Sequence, residues 1–394
     1  MEKKAIPNIV EEVFPKVIEW RRHLHQHPEL SFEEYETSKY IEEQLKKFSG
    51  IEITRPTKTS VMGRLKGLAG EGKTIAMRAD IDALPIHEDT GVEFESQVEG
   101  KMHACGHDGH TSILLGTAKI LSEMKETLTG EFVFLFQHAE ELPPGGAQEM
   151  VKAGVLDGVD CILGMHLWST LPVGEIQVTK GPMTSASDVF DITVKGKSGH
   201  ASQPENAIDA LAIGSQIVSN LQQIVSRVLS PLESGVVSCT RFHSGEAYNV
   251  IPDQAIIGGS VRSLSNDVRE KIKTSIESIS TNIAKAHGAT AELDYQYGYD
   301  PVFNDIDLST AVLQHLTDFF TNERVEEVPP VLGGEDFSAF SNIVPGCYIG
   351  VGAMQKRDDV FYPHHHPRFE INEQALKIGI SYFVSTAIFL TSQY

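Results

Sequence analysis

Apolar residues recur at helical spacing near the N-terminus (Ile9, Val13, Val17, Trp20, Leu24) and predict a helix over 8–26, stopped by the His27-Pro28 pair. Ser31-Phe32-Glu33-Glu34 reads as a capping box opening a second helix, to about Phe48. Short β-type runs follow: SVMGRL near 60, TIAMRADIDALP over 74–85, EFVFLFQHAEE over 131–141 and CILGMHLW over 161–168. The stretch TSILLGTAKILSEMK, over 111–125, is helical between them. Strands alternating with helices predict an α/β domain, a mixed and largely parallel sheet with helices on both faces.

From about residue 185 the pattern changes. DVFDITVKG predicts a strand, and NAIDALAIGSQIVSNLQQIVSRV a long helix with apolar positions at 208, 211, 217, 218, 221, 224, 225 and 228. Two strands (GVVSCTRFH and QAIIGGSVRSL), a helix (NDVREKIKTSIESISTNIAKAHG) and a last strand (ATAELDYQYG) complete β-α-β-β-α-β, the ferredoxin-like order. After Pro301 the α/β texture returns with LSTAVLQHLTDFF, CYIGVGA and a final helix. Residues 185–299 are therefore expected to form an inserted α+β domain able to act as a lid. Residues 1–184 and 300–394 are expected to form one discontinuous domain.

A chain of 394 residues exceeds one ordinary core, which fits two domains. The formal net charge of −21 is spread along the chain and argues against nucleic acid or anionic membrane as partner. MEKKAIPNIVEEVF lacks the apolar core of a secretory signal. INEQALKIGISYFVSTAIFL carries Glu373 and Lys377 and is expected to be a buried helix, not a membrane anchor. The cysteines at 105, 161, 239 and 347 match no disulfide framework, so a reduced, cytoplasmic protein is expected.

GLAGEGKT, residues 67–74, matches the Walker A pattern letter for letter. A phosphate cradle leads into a helix, whereas the residues that follow here alternate like a strand and end in proline. Glu71 would also put a negative charge in the cradle. The segment reads as a polar turn between strands.

The chemistry lies elsewhere. MHACGHDGHTS, over 102–112, gathers His103, Cys105, His107 and His110 between a strand and a helix. Glu140 and Glu141 follow EFVFLFQHA, His166 ends GMHLW, and His364, His365 and His366 sit in YPHHHPRF. Loops beyond strand ends are where an open α/β sheet presents its site. Thiolate, imidazole and carboxylate are donors for Zn²⁺ or a similar divalent ion, and they are more numerous than one tetrahedral ion needs. Two ions sharing a water are favoured. Glu140 beside Glu141 supplies one carboxylate to bind and one to take a proton. Asp80 and Asp82, two apart on one strand face, suit the orientation of imidazole ligands. Each piece alone has a plainer reading: a satisfied core histidine, a solvated Glu-Glu loop, a charged turn. Their joint placement at strand ends favours the metal.

MHACGHDGH, RADIDALP, HAEELPPGGA, GMHLW, SGHASQPE, NVIPD, GGEDFS and HHPRFEINEQAL together resemble the M20 metallopeptidase family. The motifs stand in the family's order, and the match runs from about Trp20 to the C-terminus. The nearest branch is the amidohydrolase one, with N-acyl-amino-acid (aminoacylase-type), hippurate and auxin-conjugate hydrolases. The resemblance implies a dinuclear site liganded by Cys105, His107, Glu141, His166 and one histidine of the triple. The family's His-x-Pro-x-[FY] pattern aligns that ligand with His365, with His364 and His366 as alternatives. Glu140 would be the general base and proton shuttle. Relatives outside this branch carry a His-x-Asp metal motif where this chain has Asp80-Ile81-Asp82, and Cys105 is expected to compensate. The insert would be a lid and dimerisation domain. Its His200 would polarise the scissile carbonyl, often in the partner subunit's site, while Asn249 and Arg262 would hold the substrate carboxylate. The plainer alternatives are a His200 that caps the helix entry and a surface Arg262. Glu335 and Asp336 fall in a family motif near the site. His23, His25 and His27 are expected to be helix-end residues, His103 and His110 neighbours of the site, and His138 a support behind the glutamates.

The expected activity is metal-dependent hydrolysis of the amide bond in N-acyl-L-amino acids. It would use two divalent ions per subunit (Mn²⁺ or Zn²⁺, with Ni²⁺ and Co²⁺ also fitting the donors) in a homodimer or homotetramer. A dinuclear dipeptidase or carboxypeptidase is the alternative within the same chemistry. A metal- or nucleotide-binding protein without turnover is the alternative outside it, and the intact Glu-Glu pair speaks against that one.

Overall fold

The computed structural model describes residues 5–357 and 359–393. The chain divides into two compact units, one of residues 1–181, 303–329 and 336–394, the other of 182–302 and 330–335.

Counting strands of four residues or more, the N-terminal part of the first unit supplies β1 (Ile51–Thr54), β2 (Val61–Lys66), β3 (Gly70–Asp80), β4 (Thr129–Gln137), β5 (Cys161–Trp168) and β6 (Glu175–Val178). The second unit holds β7 (Ala186–Lys195), β8 (Gly235–His243), β9 (Gln254–Ser263) and β10 (Thr290–Gln296); β11 (Arg324–Glu327) and β12 (Gly346–Gly352) return to the first. The helices are α1 (Ala5–Gln26), α2 (Tyr35–Leu45), α3 (His107–Met124), α4 (Ala147–Lys152), α5 (Ala210–Leu221), α6 (Asn266–Ala286), α7 (Ile306–Phe319), α8 (Ser338–Ser341) and α9 (Gln374–Gln393).

The large sheet has the order β1-β2-β4-β3-β5-β12-β6-β11. Its centre, β4-β3-β5-β12, is parallel, while β1, β2 and β6 join through antiparallel pairs. The central strands are buried on both faces and therefore read as near-continuous apolar runs. On β4, Phe132, Phe134 and Phe136 join the core of Trp20, Ile113, Leu121 and Phe383, while the alternate Val133 and Leu135 are also fully buried. Each such phenylalanine contributes about 1.5–3 kcal/mol through burial. Helices α1, α3 and α9 pack on one another, and α3 and α9 on β3. Gln374–Ser392 of α9 is long and apolar enough to cross a membrane, but 78% of that window is buried inside the protein, so it serves as a core helix.

The second unit runs β7-α5-β8-β9-α6-β10, with sheet order β8-β9-β7-β10 and every neighbouring pair antiparallel. Ile213, Ile217, Ile272 and Ile276 of its two helices share a core with Phe190, Ile192 and Ile257 of its strands. Arg269 on α6 forms an ion pair with buried Asp188 on β7, which also accepts from Tyr295 Oη at 2.7 Å.

Several elements differ from the periodicity. Helix α1 runs through Pro15 from Ala5. Helix α5 ends at Leu221, with a π-type turn at Ile224–Val228 completing the apolar stretch. Helix α3 begins four residues before Thr111, so His107 and His110 lie on its first turn. The expected capping box does not form. Helix α2 starts at Tyr35 with no side-chain cap from Glu34, and the carboxylate of Glu29 takes the backbone N–H groups of Glu36 (3.2 Å) and Thr37 (2.7 Å) instead.

The turn expected there is shorter than the Walker-like letters, because β3 already begins at Gly70 and takes in residues 70–74, and no helix N-terminus stands behind the segment. Its glycines serve close backbone packing: a Cβ at Gly67 would lie 2.3 Å from the carbonyl oxygen of Leu128. Gly67→Ala is expected to lower unfolding free energy by about 1–3 kcal/mol in urea titrations, with no thermal stabilisation by ATP in either protein. An unchanged urea midpoint would mean that the backbone there gives way.

Candidate metal centre

The carboxyl ends of β3, β4 and β5 open onto one place, together with the first turn of α3 and the loop after β12. A left-handed Gly106 (φ 92°) turns the chain into α3 and sets Cys105 and His107 side by side. Cys105, His107 and Glu141 offer donor atoms within 4.8 Å of one another, and so do Cys105, His166 and His364. The two sets share one sulfur.

Hydrogen bonds behind the rings fix which nitrogen each histidine presents. Nδ1 of His107 lies 2.9 Å from the carbonyl oxygen of Asp82 and 3.2 Å from its Oδ1. A carbonyl only accepts, so Nδ1 carries a proton and Nε2 is the nitrogen left to face an ion. That Nε2 is buried without a hydrogen-bond partner among the described residues, 3.7 Å from Asp80 Oδ2 and 3.9 Å from Glu141 Oε1. His166 repeats the pattern: Nδ1 faces the Leu167 carbonyl at 3.1 Å, leaving Nε2 at 3.5 Å from Cys105 Sγ.

His110 is occupied on both sides. Its Nδ1 bonds Asp80 Oδ1 at 2.6 Å and its Nε2 accepts from Leu167 N at 3.0 Å, so it props Asp80. His25 is buried between Asp108 (2.8 Å) and Glu88 (2.9 Å), away from the donor sets. His23 and His27 line a surface cleft with Tyr40. His103 is buried, pushed down to about 4 by burial and hence neutral. His138, behind the glutamates, contacts Glu149 at 3.2 Å.

The triple histidine divides its work. His365 takes a left-handed conformation (φ 64°), its N–H donating to Ala104 O at 2.9 Å, and brings Nε2 to 3.2 Å from Glu141 Oε1. His364 lies nearer the sulfur, with Nδ1 at 3.8 Å from Sγ, but its Nε2 accepts from Ser169 N at 3.2 Å. That bond leaves the proton on Nδ1, so His364 aims a donor at the sulfur while His365 faces the carboxylate. His366 Nδ1 accepts from Arg368 N and stays outside both sets.

Electrostatics separate two halves. Burial pulls His107 down, but Asp80, Asp82 and Glu141 outweigh it and raise it to about 10. Burial and neighbouring imidazoles hold His166 well below the usual range and His364 at about 3, so both are neutral. Burial, Glu141, Glu140 and Asp80 push the Cys105 thiol well up. Carboxylates gathered round an unpartnered imidazole nitrogen and a thiol suit a divalent cation with soft ligands, and the residues present fit such an ion.

Glu140 is buried and lies outside the donor sets around Cys105. The turn carrying it is anchored through Gln137, whose amide reaches Asp336 at 2.7 and 2.8 Å. Arg78 bonds Gln137 (2.7 Å), Asp80 (2.8 Å) and Asp336 (2.8 Å). Asp336 is thus a support beneath the glutamates, whereas Glu335 groups with the second unit. Periodicity does not single out Arg78 or Gln137; their signal is a polar residue inside an otherwise apolar buried run.

The second unit carries His200, Asn249 and Arg262. His200 pairs with Val250, next to Asn249, and its Nδ1 accepts from Ser202 N at 3.1 Å within a local turn. Both His200 and Asn249 are exposed, and Arg262 is partly buried on β9 opposite Ser187 and Val236.

Three similarities bear on this arrangement. An N-acyl-L-amino acid amidohydrolase of Geobacillus stearothermophilus is 53% identical over 304 residues, covering 77% of this chain and 82% of its own. Thermostable carboxypeptidase 1 of Saccharolobus solfataricus is 40% identical over 380 residues, 95% of each chain. The crystal structure of the Bacillus subtilis YXEP protein, a dinuclear metal binding peptidase from the M20 family, superposes with a TM-score of 0.85 at 37% identity, covering 98% of this chain and 100% of that one. The model of peptidase family M20/M25/M40 matches residues 76–388, from β3 to within α9, and so spans the carboxylate, thiolate and imidazole donors described above: the chain belongs to that family.

Proposed function

We propose that the protein is a metal-dependent amidohydrolase that cleaves N-acyl-L-amino acids to a carboxylic acid and a free amino acid. Carrying most weight is the gathering of Cys105, His107, Glu141 and His166 at one place, with a second carboxylate, Glu140, beside Glu141. The Geobacillus relative, an N-acyl-L-amino acid amidohydrolase, adds the substrate class.

In this reading Cys105, His107, Glu141, His166 and His365 hold two divalent ions, Mn²⁺ or Zn²⁺, with Ni²⁺ and Co²⁺ compatible with the donors. Bound ions would supply a water acidic near neutral pH and polarise the scissile carbonyl. Asp82 holds His107 in the tautomer that presents Nε2, and Asp80 balances His107 from the other side. His364 directs an N–H at the Cys105 sulfur and favours its thiolate. Glu140 takes the proton released as water attacks, then delivers it to the departing amine nitrogen, so the amino acid leaves neutral at that atom.

The second unit is assigned the roles of lid and dimerisation domain. His200 would polarise the carbonyl, and Asn249 and Arg262 would hold the substrate carboxylate. Edge strand β8 with exposed Phe242, and Leu211 exposed on α5, offer apolar surface that a second copy would cover in a homodimer or homotetramer. The four free cysteines fit a reducing cytoplasm. The Saccharolobus relative, a carboxypeptidase, keeps peptides as the second reading.

Amino acid release from N-acetyl-, N-benzoyl- and longer N-acyl-amino acids, beside simple dipeptides, tests the proposal with metal-replete protein. Turnover of dipeptides alone would move the enzyme to the peptidases. Glu140→Ala is expected to retain its metal and lose at least about 10²–10⁴-fold in kcat; substantial residual kcat would remove it as general base. Metal uptake should release protons, because the buried Cys105 thiol must ionise to bind. Calorimetry in buffers of different ionisation enthalpy reads that release. Cys105→Ala should lower both proton release and metal content, and unchanged stoichiometry would take Cys105 out of the ligand set.

A further inference from the structure

Ser31 and Glu34, the two residues spaced like a capping pair, turn their side chains away from α2. Ser31 Oγ donates to Asp82 Oδ2 at 2.7 Å. Glu34 Oε1 accepts from the backbone N–H of Ala139 at 2.8 Å and of Phe32 at 2.9 Å, and Oε2 accepts from Thr59 Oγ1 at 2.9 Å. Glu34 is fully buried, and no cation is among these partners.

Both backbone donors belong to left-handed residues, Phe32 (φ 67°) and Ala139 (φ 50°). Such conformations are costly for side-chain-bearing residues and persist only where the surroundings over-determine them. Ala139 immediately precedes Glu140 and Glu141. Its carbonyl accepts from Gly146 N at 3.0 Å, and Glu141 N donates to Asp82 Oδ2 at 3.0 Å. The segment 29–34 is itself tied to the chain just beyond β3, since Ala83 N donates to Glu29 O at 2.8 Å and Leu30 bridges to Ala83.

We propose that Ser31 and Glu34 are positioning residues, a clamp that locks the left-handed turn at Ala139 to the Asp82 corner and so sets the carboxylates of Glu140 and Glu141 in register with His107. This rests on the proposed role of Glu140 as general base. The clamp works through reach, not charge. Burial and Asp82 push Glu34 up to about 7. A neutral acid with its proton on Oε2, donating to the Thr59 hydroxyl, keeps the same Oε1 contacts.

Glu34→Gln and Glu34→Asp therefore separate the two features. Gln keeps the reach and an acceptor oxygen; Asp keeps the acid but falls one methylene short of Ala139. In the metal-loaded enzyme, Glu34→Asp is expected to lose about 10²-fold in kcat, the scale of a roughly 1 Å misplacement, with KM and metal content little changed. Glu34→Gln should stay near the wild type. Hydrogen exchange over residues 137–147 should accelerate in Glu34→Asp and not in Glu34→Gln. Equal kcat in the two variants, or the reverse order, overturns the clamp. So does unchanged exchange in Glu34→Asp, and that readout decides the matter even if Glu140→Ala retains turnover and the general-base role fails on its own.

Discussion

The carboxylate of Asp82 is bonded from three directions. Oδ1 faces His107 Nδ1 at 3.2 Å, while Oδ2 accepts from Ser31 Oγ at 2.7 Å and from Glu141 N at 3.0 Å. Those partners come from the first turn of α3, the loop before α2 and the loop after β4. Asp82 is 1% exposed, so each bond acts in low dielectric and a missing one would leave a buried acceptor unsatisfied. The imidazole that presents Nε2 and the backbone that presents Glu141 are therefore set by one side chain. A shift of that carboxylate moves both.

Beneath it lies a second buried corner. Arg78 reaches Asp80, Gln137 and Asp336 at 2.7–2.8 Å, and Gln137 reaches Asp336 in turn. Removing one partner from a buried pair of this kind costs about 3–5 kcal/mol, because the other charge stays buried and unpaired. The network therefore joins β3 and β4 to the chain at Asp336. It fixes the strand ends from which Asp80 and the Glu140–Glu141 turn depart. Aromatic packing on β4 supplies stability, while this polar corner supplies the geometry of the loop that follows.

Much of this was legible in the chain. The central strands show as apolar runs because both faces are covered, and the donors are visible because thiol, imidazole and carboxylate cluster just past those runs. What the chain alone does not show are features decided by distant partners. Ser31-Phe32-Glu33-Glu34 has capping-box letters, yet Asp82 and Ala139 compete for its side chains and win, and Glu29 takes over the helix end. Walker-type letters at 67–74 record close backbone approach to Leu128, not a phosphate cradle. The family's His-x-Pro pattern points to His365, but only the left-handed turn there shows why adjacent rings face different partners, His364 the sulfur and His365 the carboxylate. Spacing alone carries no information on such directions.

That division of the histidines runs through the whole centre. On one side Asp80, Asp82 and Glu141 surround His107 and raise it to about 10; on the other, His166 and His364 are held neutral beside Cys105. Burying several carboxylates together is unfavourable unless positive charge is added, and Arg78 is already shared by Asp80 and Asp336. A proton on His107 meets part of that demand, and a divalent cation at the same place meets more of it while displacing the proton. The neutral half offers softer donors and little net charge. Divalent ions at this centre would therefore meet unlike fields, carboxylate charge on the His107 side and neutral donors on the His166 side.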